Sequence, residues 1–339
     1  MKRREFLSRA GLGALAAGGL LTGCQKKEQE AQKAAAGAVA PTAEAPQEWT
    51  LLSAWPDDFP LLGESAHTLG KLITELSGGR VQVQVAQTQN PADVFDQVAA
   101  GKAQLGYGMG SLWHEKDPAF ELFSSIPFGL APREINGWLY EGNGLSLWQQ
   151  AYKKYGIVPY PAGNTGLQMA GWFRKPLKKA GDLKGLRIRI DGLGAQAMKQ
   201  AGAHPVDMPL ADAHDALAAG RLDAVVWMAP YHDLQAGLYQ AAKFYHYPGW
   251  QAPGETLECL VNAQALEALP ANTSSVIASA CSSLMEQMLA AFDSRNAQAL
   301  DTLITTHGVK VEPLPREVLN KLRVAAEQAV GELASDNDL

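Results

Sequence analysis

"LRIRIDGLGAQAMKQAGAHPVDMPLADAHDALAAGRLDAVVWM", residues 186–228, decides the fold class, because its apolar and polar residues follow the order strand, helix, strand, helix, strand. That order is typical of parallel α/β architecture. The first strand places Arg189 near its carboxyl end, and the last strand runs out at Trp227. Ligands of open parallel sheets bind beyond the carboxyl ends of the strands, so these two residues mark a predicted binding site.

A repeat extends this pattern towards the N-terminus. Residues 91–109, "PADVFDQVAAGKAQLGYGM", align without gaps with residues 210–228, so that Gly101 lies on Gly220. Each copy is typical of a helix, an Ala-Ala-Gly cap and a strand that enters a turn. The two copies predict two similar α/β lobes that meet at a cleft. From residue 282 onward the apolar residues have helical spacing, which predicts long C-terminal helices.

The first 24 residues, "MKRREFLSRAGLGALAAGGLLTGC", indicate an export signal rather than part of the fold. The twin arginines Arg3 and Arg4 precede an apolar stretch shorter than the roughly 20 residues of a membrane-spanning helix. Small residues before Cys24 favour cleavage by a lipoprotein peptidase and lipidation of that cysteine, which would hold the mature protein on a membrane. Plain cleavage and release into the periplasm is the alternative. Residues 24–46 have little to bury and are predicted to form a flexible tether.

The charge and the cysteines limit the class of protein. The formal net charge is −6, and removal of residues 1–23 takes away four basic and one acidic side chain, which leaves −9. An acidic chain of this kind is not expected to bind nucleic acid. Apart from Cys24 the thiols are Cys259 and Cys281, which an oxidising compartment would let pair if geometry allowed. Their strand-like and helix-like contexts favour two separate buried thiols.

Common catalytic motifs are missing from the sequence. No histidines have metal-ligand spacing, and neither a G-x-S-x-G elbow nor a G-x-x-x-x-G-K-[ST] phosphate loop is present. Residues 192–197, "GLGAQA", do fit the G-x-G-x-x-A dinucleotide fingerprint, so an exported oxidoreductase is an alternative function. The preceding strand argues against it, because Arg187 and Arg189 interrupt a strand that should be apolar on both faces.

Three side chains are predicted from their positions to contact a ligand. Arg189 offers a carboxylate two parallel charge-assisted hydrogen bonds, whereas Arg187 is equally well explained by a solvated basic face. Gln168 alternates with apolar residues in a strand-like run, so its polar side chain points away from theirs. An exposed strand position is the alternative for Gln168, and a buried core position is the alternative for Trp227.

Four stretches carry a resemblance to a known family, namely residues 116–129, 164–206, 218–233 and 245–250. They resemble the solute-binding subunit of tripartite ATP-independent periplasmic (TRAP) transporters, of the DctP type. The most similar branch is the one that receives 2-oxo acids, lactate and similar monocarboxylates. The resemblance covers residues 48–335 and implies an α/β, two-lobed periplasmic-binding-protein fold with mixed sheets, joined by crossing strands and a long helix.

The resemblance also implies a function, a location and a domain division. The protein would be a periplasmic receptor, not an enzyme, that binds a small 2-oxo or 2-hydroxy monocarboxylate and delivers it to TRAP membrane permease subunits. A binding protein that senses its ligand without transport is an alternative. Residues 47–166 and about 255–339 would form lobe I with the connecting helices, and residues 167–254 would form lobe II.

The family pattern assigns roles to several positions. The arginine at the position of Arg189 holds the carboxylate, and Gln168 and Trp227 match ligand-site residues of this branch. The branch also has a glutamate just before the site tryptophan, which helps to hold a metal ion, and another just after the "YPGW" run. Here those positions are Val226 and Ala252.

These departures lead us to expect metal-independent binding, no cofactor and a more apolar pocket, with Glu255 as the one nearby carboxylate that could replace a missing glutamate. The predicted substrate-binding set is Arg189, Gln168, Trp227, Trp113, Val226 and Glu255. Receptors of this branch often continue into a further C-terminal helix that pairs subunits. The chain stops at Leu339, so we do not expect a dimer through that helix.

Overall fold

The computed structural model describes residues 45–335. The export signal, Cys24 and most of the predicted tether lie outside the described residues. The strands in this range are β1 (Gln47–Ser53), β2 (Val81–Gln87), β3 (Leu105–Gly108), β4 (Ile157–Asn164), β5 (Gly171–Phe173), β6 (Arg187–Arg189), β7 (His204–Pro205), β8 (Ala224–Val225), β9 (Phe244–Tyr247), β10 (Thr256–Asn262) and β11 (Lys310–Pro313).

Helices alternate with most of these strands. They are α1 (Leu62–Leu76), α2 (Asp93–Ala99), α3 (Glu121–Ser124), α4 (Pro132–Tyr140), α5 (Gly144–Tyr152), α6 (Gly192–Gln200), α7 (Leu210–Ala218), α8 (Pro230–Gln235), α9 (Leu238–Ala241), α10 (Ala263–Glu267), α11 (Ala271–Thr305) and α12 (Arg316–Ser335). The long helices α11 and α12 agree with the helical spacing predicted after residue 282.

The first sheet has the strand order β2-β1-β3-β10-β4. Strand β1 runs parallel to β2 and β3, whereas β10 runs antiparallel to β3 and β4. Helix α11 packs along β4 and against α1, and the buried side chains of Leu284, Met288 and Phe292 join Leu51 in one apolar core. A helix as long and apolar as α11 could span a membrane, but here its apolar side chains fill this core.

The second sheet has the strand order β11-β9-β5-β8-β6-β7. Strand β8 runs parallel to β6 and antiparallel to β5, so this sheet is mixed, as the first one is. Ile188 and Ile190 are buried on one face of β6 and its continuation, as the alternation with the arginines predicts. Helix α12 packs on α6 over this core, which also contains Val318 and Leu322.

The sequence repeat corresponds to a repeated structural unit. In the first sheet α2 leads into β3, and in the second sheet α7 leads into β8. Gly101 and Gly220 end the two helices with φ values of 68° and 74°, a left-handed conformation that glycine adopts without strain. The gapless alignment therefore reflects one helix–turn–strand unit used once in each sheet.

One part of the expected domain division is wrong. We expected the chain after about residue 255 to remain with the first lobe, but β11 pairs in parallel with β9 in the second sheet, from Lys310–Phe244 to Pro313–Tyr247. The reason is geometric, since at 1.5 Å per residue the 35 residues of α11 extend about 50 Å. That length carries the chain from one sheet to the other.

Both cysteines in the described range are buried free thiols. Cys259 lies on β10 and Cys281 on α11, within the same apolar core. Burial raises the pKa of the Cys281 thiol, and the neighbouring Cys259 raises it further. The structure therefore shows no disulfide between them, as the sequence contexts favoured.

Trp113, one of the predicted ligand residues, lies in a buried apolar core. Its side chain is only 1% exposed. Its indole N–H lies 2.7 Å from Glu258 Oε1 and 3.1 Å from the Tyr152 hydroxyl oxygen. The Tyr152 hydroxyl donates to the same carboxylate oxygen at 2.9 Å. The indole N–H of Trp113 is therefore used by a buried carboxyl group, and a contact between Trp113 and a ligand stays a prediction.

Burial raises the pKa of Glu258 to about 8, although hydrogen bonds from Tyr152 and Trp113 partly offset the effect. The other carboxyl oxygen, Oε2, is buried without a hydrogen-bond partner. A carboxyl group in this position carries a proton at neutral pH in the folded protein and loses it in the unfolded chain.

We predict that the free energy of unfolding of the wild type falls relative to that of Glu258→Gln as the pH rises from about 4.5 to about 8. Below this window both states of the wild type are protonated at Glu258 and the group has no effect. Within it the folded state holds a proton that the unfolded state has released, which costs about 1.4 kcal/mol of stability per pH unit. Urea denaturation across this range measures the difference.

The exposed Glu75→Gln variant serves as the control and should show no comparable trend relative to the wild type. A difference between wild type and Glu258→Gln that stays constant from pH 5 to pH 8 would contradict the assignment of a protonated Glu258.

Candidate functional site

Four of the predicted ligand residues lie at one edge of the second sheet, where β6 and β8 end and the antiparallel strand β5 begins. Arg189 is the last residue of β6 and pairs in register with Val225 of β8. Val225 in turn pairs with Trp172 of β5. The pairing continues past the strand ends, since the Met169 N–H donates to the Met228 carbonyl oxygen at 3.4 Å. The structure therefore brings together Arg189, Gln168, Val226 and Trp227.

Arg189 is held from three sides and is only 8% exposed. Its Nε–H donates to the Met208 carbonyl oxygen at 3.2 Å, and Nη1 donates to the Val226 carbonyl oxygen at 3.1 Å. Nη2 forms an ion pair with Asp191 Oδ2 at 2.5 Å. These contacts leave one N–H on each terminal nitrogen without a partner among the described residues, which is the donor pair that a carboxylate accepts.

Gln168 lies at this edge of the sheet, although the strand predicted around it is absent. Strand β5 begins only at Gly171, and Gln168 lies in the loop that follows β4. Its side chain is 6% exposed, whereas the neighbouring Leu167 is 62% exposed. The Gln168 amide nitrogen donates to Thr165 Oγ1 at 3.1 Å and to Glu255 Oε2 at 3.0 Å. The alternative interpretation, that Gln168 is an exposed strand residue, is therefore wrong.

Glu255 is held beside Gln168 by two hydrogen bonds between its backbone and Thr165. Its N–H donates to Thr165 Oγ1 at 3.0 Å, and its carbonyl oxygen accepts the Thr165 N–H at 3.0 Å. Burial raises the pKa of Glu255, and the hydrogen bond from Gln168 lowers it. The charges of Asp191 and Glu121 raise this pKa as well, and the charge of Arg189 lowers it, so all three lie near Glu255.

Asp191 and Glu121 were not among the predicted site residues. Asp191 begins the turn into α6 and pairs with Arg189, and Glu121 approaches from α3 of the first lobe. Burial raises the pKa of Glu121, while His114 and the Leu193 N–H lower it. No sequence signal pointed to Glu121, because only the fold brings α3 to the start of α6.

The start of α6 also decides against dinucleotide binding. Gly192, the first residue of α6, has φ of 56°, and a Cβ atom there would lie 3.3 Å from Glu121 Oε1. A carboxylate therefore occupies the helix N-terminus at which the pyrophosphate of a dinucleotide would bind. The surroundings of the G-x-G-x-x-A match therefore do not favour a dinucleotide.

Arg187 does not belong to the site. Its guanidinium lies on the surface, where Nε and Nη2 donate to the two carboxylate oxygens of Asp223 at 2.9 and 2.8 Å. Nη2 also donates to the Gly220 carbonyl oxygen at 2.8 Å. The solvated basic face was therefore the correct interpretation for Arg187.

Trp227 links the two lobes. Its ring lies 5.9 Å from the Arg189 guanidinium carbon and meets Phe59, from the loop after β1, edge to face at 6.4 Å. His232 stacks on the same Phe59 ring at 5.5 Å and hydrogen-bonds the Pro60 carbonyl oxygen through Nε2 at 2.9 Å. Burial lowers the pKa of His232, which favours a neutral imidazole that donates this hydrogen bond. Trp227 is therefore a partly buried wall of the cleft.

Asp233 fixes the turn that carries Trp227. Its Oδ1 accepts the Met228 N–H at 3.2 Å, and its Oδ2 accepts the Trp172 indole N–H at 2.8 Å and the Tyr245 hydroxyl at 2.7 Å. The carboxyl group is buried, and burial raises its pKa to about 6 against the effect of these donors. Sequence reasoning missed Asp233, although an acidic residue in the first turn after Pro230 is a helix-start signal.

Few oxygen atoms in the cleft are arranged to hold a cation. Val226 and Ala252 contribute no side-chain oxygen, and the Val226 carbonyl oxygen already accepts an N–H from Arg189. Among the predicted site residues only Gln168 and Glu255 have side-chain oxygens, against the roughly six to eight oxygen ligands that calcium prefers. Within residues 45–335 no group of three or more His, Cys, Asp or Glu side chains is placed to bind a metal ion.

Family and sequence comparisons agree on one class of protein. The family profile of DctP, described as "Bacterial extracellular solute-binding protein, family 7", matches residues 53–337. A monocarboxylate 2-oxoacid-binding periplasmic protein of Nostoc sp. is 34% identical over 323 residues, which are 94% of this chain and 85% of that protein.

Solved structures share the fold. A TRAP periplasmic solute-binding protein from Pseudoalteromonas atlantica, with bound sodium and pyruvate, has a TM-score of 0.79 and 32% identity, covering 86% of this chain and 90% of that one. A TRAP transporter solute-binding protein from Bordetella bronchiseptica, with calcium and picolinate in its active site, has a TM-score of 0.78 and 33% identity, covering 86% and 88%. The predicted two-lobed α/β architecture is thereby confirmed.

Proposed function

The chain belongs to the DctP family of bacterial extracellular solute-binding proteins, and we propose that it is the TRAP receptor for a small organic carboxylate of the 2-oxo or 2-hydroxy monocarboxylate class. The observation that carries the proposal is Arg189, a buried guanidinium with two unpartnered N–H groups beside Gln168. The Nostoc relative is named for 2-oxoacid binding and the Pseudoalteromonas structure contains pyruvate, which supports this ligand class.

The function needs binding and release but no covalent step, so we propose that the protein is not an enzyme. A ligand carboxylate would accept two charge-assisted hydrogen bonds from Arg189, and Trp227 would cover the carbon skeleton. Because Phe59 and His232 already join the lobes beside this point, a ligand that contacts both lobes would favour their closed arrangement. The closed receptor would then deliver its ligand to TRAP permease subunits in the membrane.

Family membership places the protein outside the cytoplasm. We propose further that the mature chain begins at Cys24, that this cysteine is lipidated, and that residues 24–46 tether the receptor to a membrane. A tethered receptor stays close to membrane permease subunits, which raises its local concentration there.

A thermal-shift screen of small carboxylates tests the proposed function. A ligand present at 100 times its dissociation constant stabilises the folded protein by about 2.7 kcal/mol, which is readily seen as a rise in melting temperature. We expect at least one 2-substituted monocarboxylate to produce such a rise and dicarboxylates to produce a smaller one. No response to any carboxylate would overturn the proposal.

We predict that Arg189→Ala weakens binding of the ligand from that screen by about 2 to 5 kcal/mol, because the carboxylate loses its charge partner. Arg189→Lys keeps the charge but lacks the planar pair of donors, so its affinity should be intermediate. Isothermal titration calorimetry measures both variants. Arg187→Ala, at the exposed Asp223 ion pair, is the matched control and should bind as the wild type does. Equal affinity of Arg189→Ala and wild type would remove Arg189 from the site.

The two solved relatives hold calcium or sodium together with their ligands, but the residues here do not fit such an ion. The positions that the resemblance assigns to glutamates are Val226 and Ala252, and the Val226 carbonyl oxygen is taken by Arg189. We propose that ligand binding is independent of a metal ion.

Exhaustive chelation should therefore leave the dissociation constant of the ligand unchanged within about twofold, since no ion bridges ligand and protein. Calorimetry before and after dialysis against chelator measures this. A loss of affinity of tenfold or more that calcium or sodium restores would show that a metal site exists despite Val226.

A further inference from the structure

The orientation of the Gln168 side-chain amide is fixed by its neighbours. Its nitrogen donates to Thr165 Oγ1 at 3.1 Å and to Glu255 Oε2 at 3.0 Å, which uses both N–H groups. A flipped amide would set its carbonyl oxygen against the Glu255 carboxylate, two acceptors in contact. Thr165 cannot relieve this conflict, because its hydroxyl donates to the Gly166 carbonyl oxygen and its oxygen accepts the Glu255 N–H.

The free end of Gln168 is therefore its carbonyl oxygen. No described residue donates a hydrogen bond to this oxygen. The oxygen is not completely buried, so a bound molecule can reach it. The residue is nonetheless only 6% exposed. Gln168 thus presents a hydrogen-bond acceptor, and not a donor, at the strand edge that also carries Arg189.

The charges around this oxygen favour the same kind of partner. Glu255, Asp191 and Glu121 act on one another electrostatically, and Arg189 is the cation among them. Arg189 is already paired with Asp191, so a bound carboxylate leaves the cleft with an excess of negative groups. Apart from the two free N–H groups of Arg189, the polar groups of the cleft are carboxylates and the Gln168 carbonyl oxygen. These groups favour a ligand that carries a hydrogen-bond donor or a positive charge.

Two solved relatives contain a metal ion together with their organic ligand. Pyruvate and picolinate both have an acceptor atom next to the carboxylate, a keto oxygen or a ring nitrogen, and each is bound together with sodium or calcium. A cation can join two acceptors that would otherwise repel. Without cation ligands at Val226 and Ala252, a keto oxygen would face the Gln168 carbonyl oxygen with nothing between them.

We propose that this cleft selects carboxylates that carry a hydrogen-bond donor on the carbon next to the carboxylate, a hydroxyl or an ammonium group, over the 2-oxo acid of the same skeleton. The carboxylate binds Arg189 and the donor binds the Gln168 carbonyl oxygen. This inference rests on the proposed carboxylate function and narrows its ligand class. Gln168 lies in the loop that leads into β5, and β8 alone separates β5 from β6, which carries Arg189. Adjacent strands are about 4.8 Å apart, so these two long side chains can reach one small ligand.

Matched trios of one skeleton test the proposal by calorimetry in the presence of chelator. Suitable trios are pyruvate, lactate and alanine; 4-methyl-2-oxopentanoate, 2-hydroxy-4-methylpentanoate and leucine; and phenylpyruvate, phenyllactate and phenylalanine. In any trio that binds, a donor-bearing member should bind at least about tenfold more tightly than the 2-oxo acid, since an unpaired buried acceptor rejects an analogue that lacks the donor. Preference for the hydroxy or the amino member identifies which donor the site takes.

Equal or tighter binding of the 2-oxo acid would overturn this inference while leaving the carboxylate receptor intact. Failure of every carboxylate, in the trios and in the thermal-shift screen, would instead overturn the proposed function itself. The wild-type trios decide the question even if a variant of the site does not fold.

The Glu255→Gln variant tests the cause of the preference. A glutamine at residue 255 can donate as well as accept, so the Gln168 amide becomes free to turn and the preference for the donor-bearing ligand should fall at least about threefold. Glu332→Gln makes the same change at an exposed pair, where Gln200 donates to Glu332 at 3.1 Å, and should leave the preference unchanged. An undiminished preference in Glu255→Gln would refute the role given to the Gln168–Glu255 contact.

Discussion

The cleft depends on one constraint, that a guanidinium removed from water must have its N–H groups satisfied. Arg189 meets this constraint by binding Val226 at the end of β8, Met208 in the loop before α7 and Asp191 at the start of α6. These contacts join the end of β8 and the loop before α7 to the segment that contains Arg189 and Asp191. They also hold the remaining N–H groups in place before any ligand arrives, so the ligand does not have to order them.

A second layer of buried polar contacts supports this edge. Asp233 holds the turn after Trp227 through the Met228 N–H and is itself held by Trp172 and Tyr245, both in the second-sheet core. The adjacent His232 connects that turn to the first lobe through Pro60. Contacts with both lobes therefore set the position of the Trp227 ring. A change in the relative arrangement of the lobes would move this ring relative to the Arg189 guanidinium.

Much of this could be predicted from the sequence, because local periodicity reports directly on sheet and helix packing. The alternation around Arg189 and the Gly101–Gly220 repeat gave the parallel strands and the site at their ends. Other features depend on contacts between distant segments. Glu121 reaches α6 only through the fold, β11 joins the second sheet only because α11 spans both lobes, and Trp113 turned inward because Glu258 is buried beside it.

The same distinction applies to the acidic residues of the cleft. Taken alone, Val226 and Ala252 indicate only that this chain lacks carboxylates at two positions to which the family resemblance assigns glutamates. The fold shows that negative charge remains, since Glu255 lies in the cleft with Asp191 and Glu121 nearby. Glu255 is hydrogen-bonded to Gln168 and thereby fixes the Gln168 carbonyl oxygen as an acceptor towards the ligand. A carboxylate held in this way is better suited to orienting a neighbouring side chain than to coordinating an ion, so the positive or donor group must come from the ligand.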